Sequence, residues 1–346
     1  MKKIILLFTL VLVLISCKSK KETSDNETST KKPLNLASEY APTINIKDVK
    51  KHIYKLASEE FEGRSTGEKG QKLAAKYLAN QYSEFGVKEY SNNSYFQSIP
   101  ISALTNKRRH YTPKNPSENV IAFIEGTEKP DEILVISSHY DHMGIENGEL
   151  HPGADDNASG TTAVLEIAQA FAMAEKDGNG PKRSIMFVNF TGEERGLLGS
   201  KYFVTNPVAP LTNIVANLNI DMVGRVGKEH ENDTNYVYVI GANRMSTELH
   251  NINEKANETY TKLNLDYTYN EESDPNRYYY RSDHYNFAKN GIPIIFYFNG
   301  VHIDYHKPTD TPDKINLELL TKRAKLVFYT AWEIANREER LIVDVE

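Results

Sequence analysis

The 346-residue chain reads as an α/β protein, a three-layer α/β/α sandwich around a central mixed, mostly parallel sheet. Two observations predict it. Short apolar, β-branched runs alternate with segments of helical periodicity, the signature of strands joined through crossover helices. The length also suffices for one large core, and neither an internal repeat nor a second linker interrupts residues 40–346.

Taken in order, the chain begins with Lys2 and Lys3 ahead of Ile4–Ile15, in which Thr9 is the only residue that is not strongly apolar, followed by Ser16 and the lone Cys17. This is the layout of a secretory signal. The run falls short of the ~20 residues a membrane-spanning helix needs. Leu14-Ile15-Ser16-Cys17 resembles the bacterial lipobox, which implies cleavage after residue 16, acylation of Cys17 and a lipid-anchored location in the cell envelope. Residues 18–33 carry no hydrophobic side chain, so residues 17–40 are expected to be a disordered tether and 41–346 the folded domain.

Ile46, Val49, Ile53, Leu56 and Ala57 fall at helical spacing, as do Leu73, Ala74, Tyr77, Leu78, Tyr82 and Phe85 ahead of Gly86. Strands are then expected at Val120–Ile124, Ile133–Ile136, Ile185–Phe190, Ile214–Ile220, Tyr236–Ile240 and Ile292–Phe298. Helices are expected at Thr161–Ala174, Thr247–Tyr260 and Leu317–Ile334. A parallel sheet of this kind concentrates its sites where strands end and loops begin.

Composition narrows the chemistry. A net charge of −6 gives no basic field to gather nucleic acid. A single Cys excludes a disulfide framework and a thiolate-rich metal cluster, leaving His and carboxylates as metal ligands.

Polar residues collect at the strand ends. SSHYDHMG places His139 and Asp141 after one strand, two residues apart, as a ligand and its orienting acceptor would be. GADDNASG holds Asp155 and Asp156 between Gly153 and Gly160 at a helix start, where one carboxylate suffices for capping and the second is surplus. TGEERGLLGS puts Glu193 and Glu194 beyond another strand, suiting one ligand and one general base. Asp221 ends a further apolar run, and Tyr305 and His306 precede the last helix. Two imidazoles and three carboxylates, with a further Glu free, suit two borderline divalent ions such as zinc.

Together with FEGRSTGEKGQKLAAKYL, NVIAFIEG, NIDMVGR, RSDHYNFAKNGIPIIFYF and YHKPTDTPDKI, these motifs resemble, in order, the di-zinc aminopeptidases that include bacterial leucyl aminopeptidases. The wider superfamily contains glutamate carboxypeptidases and glutaminyl cyclases. The resemblance implies two zinc ions, one served by His139 and Asp221, the other by Glu194 and His306, with Asp156 bridging. It further implies Glu193 as general base, Asp141 behind His139, Tyr305 as donor to the developing oxyanion, and a cis peptide after Asp156. N-terminal cleavage of peptide substrates is the implied activity. A cyclase, a carboxypeptidase and a non-catalytic peptide-binding lipoprotein are the alternatives. Ser282 and Asp283 receive no chemistry, and His284 is expected to be structural. Tyr278–Tyr280 and Arg281 either rim the substrate side-chain pocket or reflect a Tyr-rich composition. His142, His151, His230, His250 and His302 receive no role.

Overall fold

The computed structural model describes residues 33–90 and 94–345. The signal segment, Cys17 and most of the expected tether therefore lie outside the described residues. Within them, no helix is long and apolar enough to cross a membrane.

The helices are α1 (Pro33–Tyr40), α2 (Ile46–Leu56), α3 (Lys69–Phe85), α4 (Ile101–Leu104), α5 (Gly160–Lys176), α6 (Leu198–Thr205), α7 (Thr247–Ala256), α8 (His284–Ala288) and α9 (Leu317–Asn336). Side-chain caps start three of them. Asn45 accepts from Lys47 and Asp48 N–H, Ser246 from Leu249 N–H, and Asn316 from Leu319 N–H. Gly86, at φ 84°, closes α3 in the left-handed conformation.

The strands are β1 (Lys88–Glu89), β2 (Phe96–Ile99), β3 (Ser117–Ile124), β4 (Lys129–His139), β5 (Gly144–Glu146), β6 (Glu149–His151), β7 (Arg183–Phe190), β8 (Ile214–Ile220), β9 (Tyr236–Ile240), β10 (Asn264–Asp266) and β11 (Ile294–Phe298). Nine of them form one sheet in the order β1-β3-β7-β4-β8-β11-β9-β10, with β2 also on β3, while β5 and β6 make a separate hairpin. The four central strands β7, β4, β8 and β11 run parallel. Antiparallel pairing at β3–β7 and β9–β11 marks the change to the flanks, so the sheet is mixed with a parallel centre.

Period-two alternation splits the strands between two helical layers. Leu134 and Ile136 of β4 and Ile185 and Phe187 of β7 join a core with residues of α2, α3, α5, α7 and α9. Ile133, Val135, Met186 and Val188 face the opposite core, with Phe203 of α6 and Phe287 of α8. This is the expected α/β/α sandwich.

The domain boundary at residue 40 needs correction. Residues 33–40 form α1, whose Ala37 and Tyr40 are buried. Tyr40 stacks on Trp332 at 5.8 Å and accepts a 2.7 Å hydrogen bond from Asn179. An eight-residue helix that can bury an aromatic ring against α9 joins the core rather than the tether.

Candidate metal centre

The parallel strands deliver the polar residues to one edge. His139 is the last residue of β4, Asp221 follows β8, Glu193 and Glu194 follow β7 by three and four residues, and Tyr305 and His306 lie on the loop after β11. Asp156 sits on the irregular turn that opens α5, and its bond to Asn157 is cis, as the resemblance implied.

Two donor sets result. His139 Nε2 lies 3.3 Å from Asp156 Oδ1 and 3.2 Å from Asp221 Oδ1. His306 Nε2 lies 3.1 Å from both Asp156 Oδ2 and Glu194 Oε2. Asp156 thus turns one oxygen toward each set. Donors sharing a tetrahedral ion at ligand distances of roughly 2.0–2.2 Å stand about 3.3–3.6 Å apart, so these nitrogen and oxygen donors need to spread by only a few tenths of an ångström to hold zinc. The shared position of Asp156 is electrostatically marked. Burial alone would lift the Asp156 carboxyl, but hydrogen bonds with His139 and His306 outweigh it and hold it well below the usual range.

The supporting bonds explain the local motifs. Asp155, the other acid of the pair, is structural: Oδ1 accepts from Gly224 N–H at 2.7 Å and Oδ2 from Asn299 Nδ2 at 3.0 Å. Asp310 accepts from the Asp155 and Asp156 backbone N–H groups. Ser282 donates to Asp221 Oδ2 at 2.6 Å and accepts from Asn219 Nδ2 at 2.9 Å, which gives this serine a positioning role the motif alone did not reveal. Asp283 is fully buried, and that burial pushes its carboxyl up to about 7. His284 is structural, buried against Phe296 at 4.5 Å and held by Tyr279 O at 2.8 Å.

Asp141 departs from its expected geometry. The nearest acceptor to His139 Nδ1 is the Asp141 backbone carbonyl at 3.1 Å, whereas its carboxylate is 3.8 Å away. That carboxylate instead accepts from Thr66 Oγ1 at 2.8 Å and from Glu193 N–H at 3.1 Å. Asp141 therefore orients the imidazole through its main chain and the Glu193 backbone through its side chain.

Arg64, from the FEGRSTG motif, is fully buried and donates to four carbonyl oxygens, those of Tyr140, Leu56, Pro152 and Gly153. It ties the loop after His139 to the loop before Asp155. His142, given no role from sequence, is the residue that reasoning missed. Its Nδ1 lies 2.7 Å from Glu194 Oε1 and 3.7 Å from Asp156 Oδ2. Its place in the same strand-end loop as His139 was the available signal.

The first donor set, His139, Asp156 and Asp221, opens onto a cleft. Glu193, Tyr305, Met222, Tyr278, Arg281 and Phe298 are among its lining residues. Glu193 Oε2 lies 4.0 Å from His139 Nε2, and burial first, then the neighbouring carboxylates Glu194, Asp221 and Asp283, raise its carboxyl well above the usual range despite His139. Tyr305 stacks on His306 at 3.9 Å, and burial, Asp156, Glu194 and Glu193 all disfavour its ionisation, so its hydroxyl keeps its proton.

Comparison with known proteins agrees with the fold. A probable leucine aminopeptidase of Arthroderma otae is 34% identical over 229 residues, 64% of this chain and 58% of that protein, so the chain spans under two thirds of that relative's length. The Legionella pneumophila LapA aminopeptidase structure superposes with a TM-score of 0.68 at 21% identity, covering 89% of this chain and 76% of that one. Porphyromonas gingivalis glutaminyl cyclase shares the fold at a TM-score of 0.65 and 18% identity, over 83% of this chain and 97% of that one. The model of peptidase family M28 matches residues 119–331, a span that holds both donor sets and Glu193, and the chain belongs to that family.

Proposed function

We propose that this protein is an aminopeptidase that removes N-terminal residues from peptides with two zinc ions and Glu193 as general base. The observation that carries the reading is the pair of donor sets sharing Asp156, with Glu193 beside them at the cleft. His139 and Asp221 would hold one zinc ion, Glu194 and His306 the other, and Asp156 both. Bound there, zinc supplies a water of lowered pKa and polarises the scissile carbonyl.

The chain's own residues account for the proton movements. Burial makes the Glu193 carboxylate a stronger base than an exposed one, and Asp141 fixes its backbone. Glu193 takes a proton from the attacking water and returns it to the leaving amine nitrogen, so that it ends the cycle as it began. Tyr305, kept protonated, donates a hydrogen bond to the carbonyl oxygen as negative charge develops there. Met222, Tyr278 and Phe298 give the cleft an apolar wall suited to an apolar N-terminal side chain. The lipobox-like segment supports delivery to the cell envelope through an acylated Cys17, so peptides outside the cytoplasm are the proposed substrates and the membrane the proposed anchor.

The test is metal content together with hydrolysis of aminoacyl anilides and their N-terminally blocked analogues by the purified, detergent-solubilised chain. Two zinc ions with cleavage of free-amine substrates alone is the expected result. One zinc ion with cyclisation of N-terminal glutamine would replace the reading with a cyclase.

A further inference from the structure

We infer that His142 is a positioning residue that fixes Glu194 as a single-oxygen ligand of the second metal, an inference that rests on the two-metal reading above. Glu194 divides its oxygens: Oε2 is 3.1 Å from His306 Nε2, and Oε1 is 2.7 Å from His142 Nδ1. The second distance is that of a charge-assisted hydrogen bond.

The other ring nitrogen shows which side of the ring is engaged. His142 Nε2 is buried and has no hydrogen-bond partner among the described residues. A proton there would be a buried donor without an acceptor, whereas a proton on Nδ1 is satisfied by Glu194. The ring nitrogen with a partner is therefore Nδ1, which faces Glu194 Oε1. That nitrogen stands 3.7 Å from Asp156 Oδ2, whereas His306 Nε2 is 3.1 Å from both Asp156 and Glu194, so the geometry sets His142 behind the ligand set. With Oε1 taken up by the imidazole, Oε2 is the oxygen left for the metal.

The surroundings lock this arrangement. A Cβ on Gly153 would stand 2.5 Å from Cγ and Cδ2 of the His142 ring, so the ring occupies space that only glycine leaves. Gly153 is itself held by Arg64, which donates to its carbonyl at 2.9 Å, and the His142 N–H donates back to the Arg64 carbonyl at 3.3 Å. His306 closes the niche with its ring at 5.8 Å and 67°. The ring is thus clamped between the glycine before the bridging aspartate and the imidazole of the second set.

The test compares His142→Ala and His142→Asn with wild type in the full chain, following zinc stoichiometry by elemental analysis during dialysis against graded chelator, with circular dichroism to confirm folding. In wild type two zinc ions are retained. Alanine is expected to weaken one ion about 10–100-fold and leave the other unchanged, the size of effect seen when a ligand's outer hydrogen bond is lost. Asparagine, whose Nδ2–H occupies the place of Nδ1–H, is expected to restore the lost affinity. Alanine within twofold of wild type at both ions overturns the inference. So does an asparagine variant as weak as the alanine one, which would make His142 a ligand. Wild type holding a single ion removes the two-metal reading itself, and is recognisable because it does not depend on position 142.

Discussion

Replacing Arg64 with Met tests whether the site is held from behind. The guanidinium is fully buried and its four carbonyl partners lie on three separate segments, at Leu56, Tyr140 and Pro152-Gly153. Hydrogen bonds to a charged group contribute about 1.5–3 kcal/mol each, so four give roughly 6–12 kcal/mol. Against this stands the burial that depresses Arg64 to about 10 from 12.5, a difference of roughly 3 kcal/mol that methionine would recover. A net loss of roughly 3–9 kcal/mol follows, a large share of the ~5–15 kcal/mol that stabilises a typical protein. Urea denaturation of the purified variant, followed by circular dichroism, measures it. A midpoint shift equivalent to less than about 1 kcal/mol would show that the carbonyls find other partners and that Arg64 does not hold the two loops together.

Glu193→Gln is expected to retain both metals while kcat falls on the order of a hundredfold or more, read from anilide hydrolysis and elemental analysis; unchanged turnover would remove Glu193 from the proton path. Ser282→Ala withdraws the 2.6 Å hydrogen bond to Asp221 and should weaken the His139–Asp221 metal about 10–100-fold in chelator competition, leaving the other ion in place. Glu166 and His52 form a buried pair at 3.6 Å, remote in role from the donor sets, with burial raising Glu166 from 4.5 to about 8 and lowering His52 to about 4. Because the folded carboxyl is raised, its stabilising contribution is complete below about 4.5 and is lost as pH rises through about 8. Glu166→Gln should therefore match wild type near pH 4.5 and exceed it by roughly 3 kcal/mol at pH 7, measured as a pH series of urea midpoints; a destabilised variant at pH 7 would mean that the pair is an ionised bridge.

Much of this arrangement was legible because a parallel sheet turns apolar runs into addresses. Each central strand shows in the sequence as such a run, and His139, Glu193, Glu194 and Asp221 follow those runs directly. The flanking elements were not legible for a physical reason. β1 has two residues, and β5, β6 and β10 have three each, too few to show a period. α1 was missed because its evidence is tertiary: Tyr40 gains its burial from Trp332, almost three hundred positions away. Within the site, the spacing of His139 and Asp141 could not say that the turn between them presents a carbonyl rather than a carboxylate to the imidazole. Two adjacent aspartates likewise look alike in sequence, and only the contacts of Asp155 with Gly224 and Asn299 separate it from Asp156, which faces both donor sets. His142 offered only its place in the strand-end loop of His139, with no periodicity of its own.

The donors span the chain from position 139 to position 306, with Asp156 common to both sets. Neither set has a local nucleus: each needs loops that follow different strands of the sheet, and the second needs the loop after β11 as well. Contacts of such long sequence separation form late, after the entropy of closing the intervening loops has been overcome. Metal capture should therefore trail sheet assembly in refolding, with protein fluorescence recovering before zinc is withdrawn from a coloured indicator. A chain lacking the segment after β11 would be left with the His139–Asp156–Asp221 set alone. Once both sets exist, any ion bound there adds to the native state's advantage by mass action, so the last contacts to form would also be those most strengthened by the ligand.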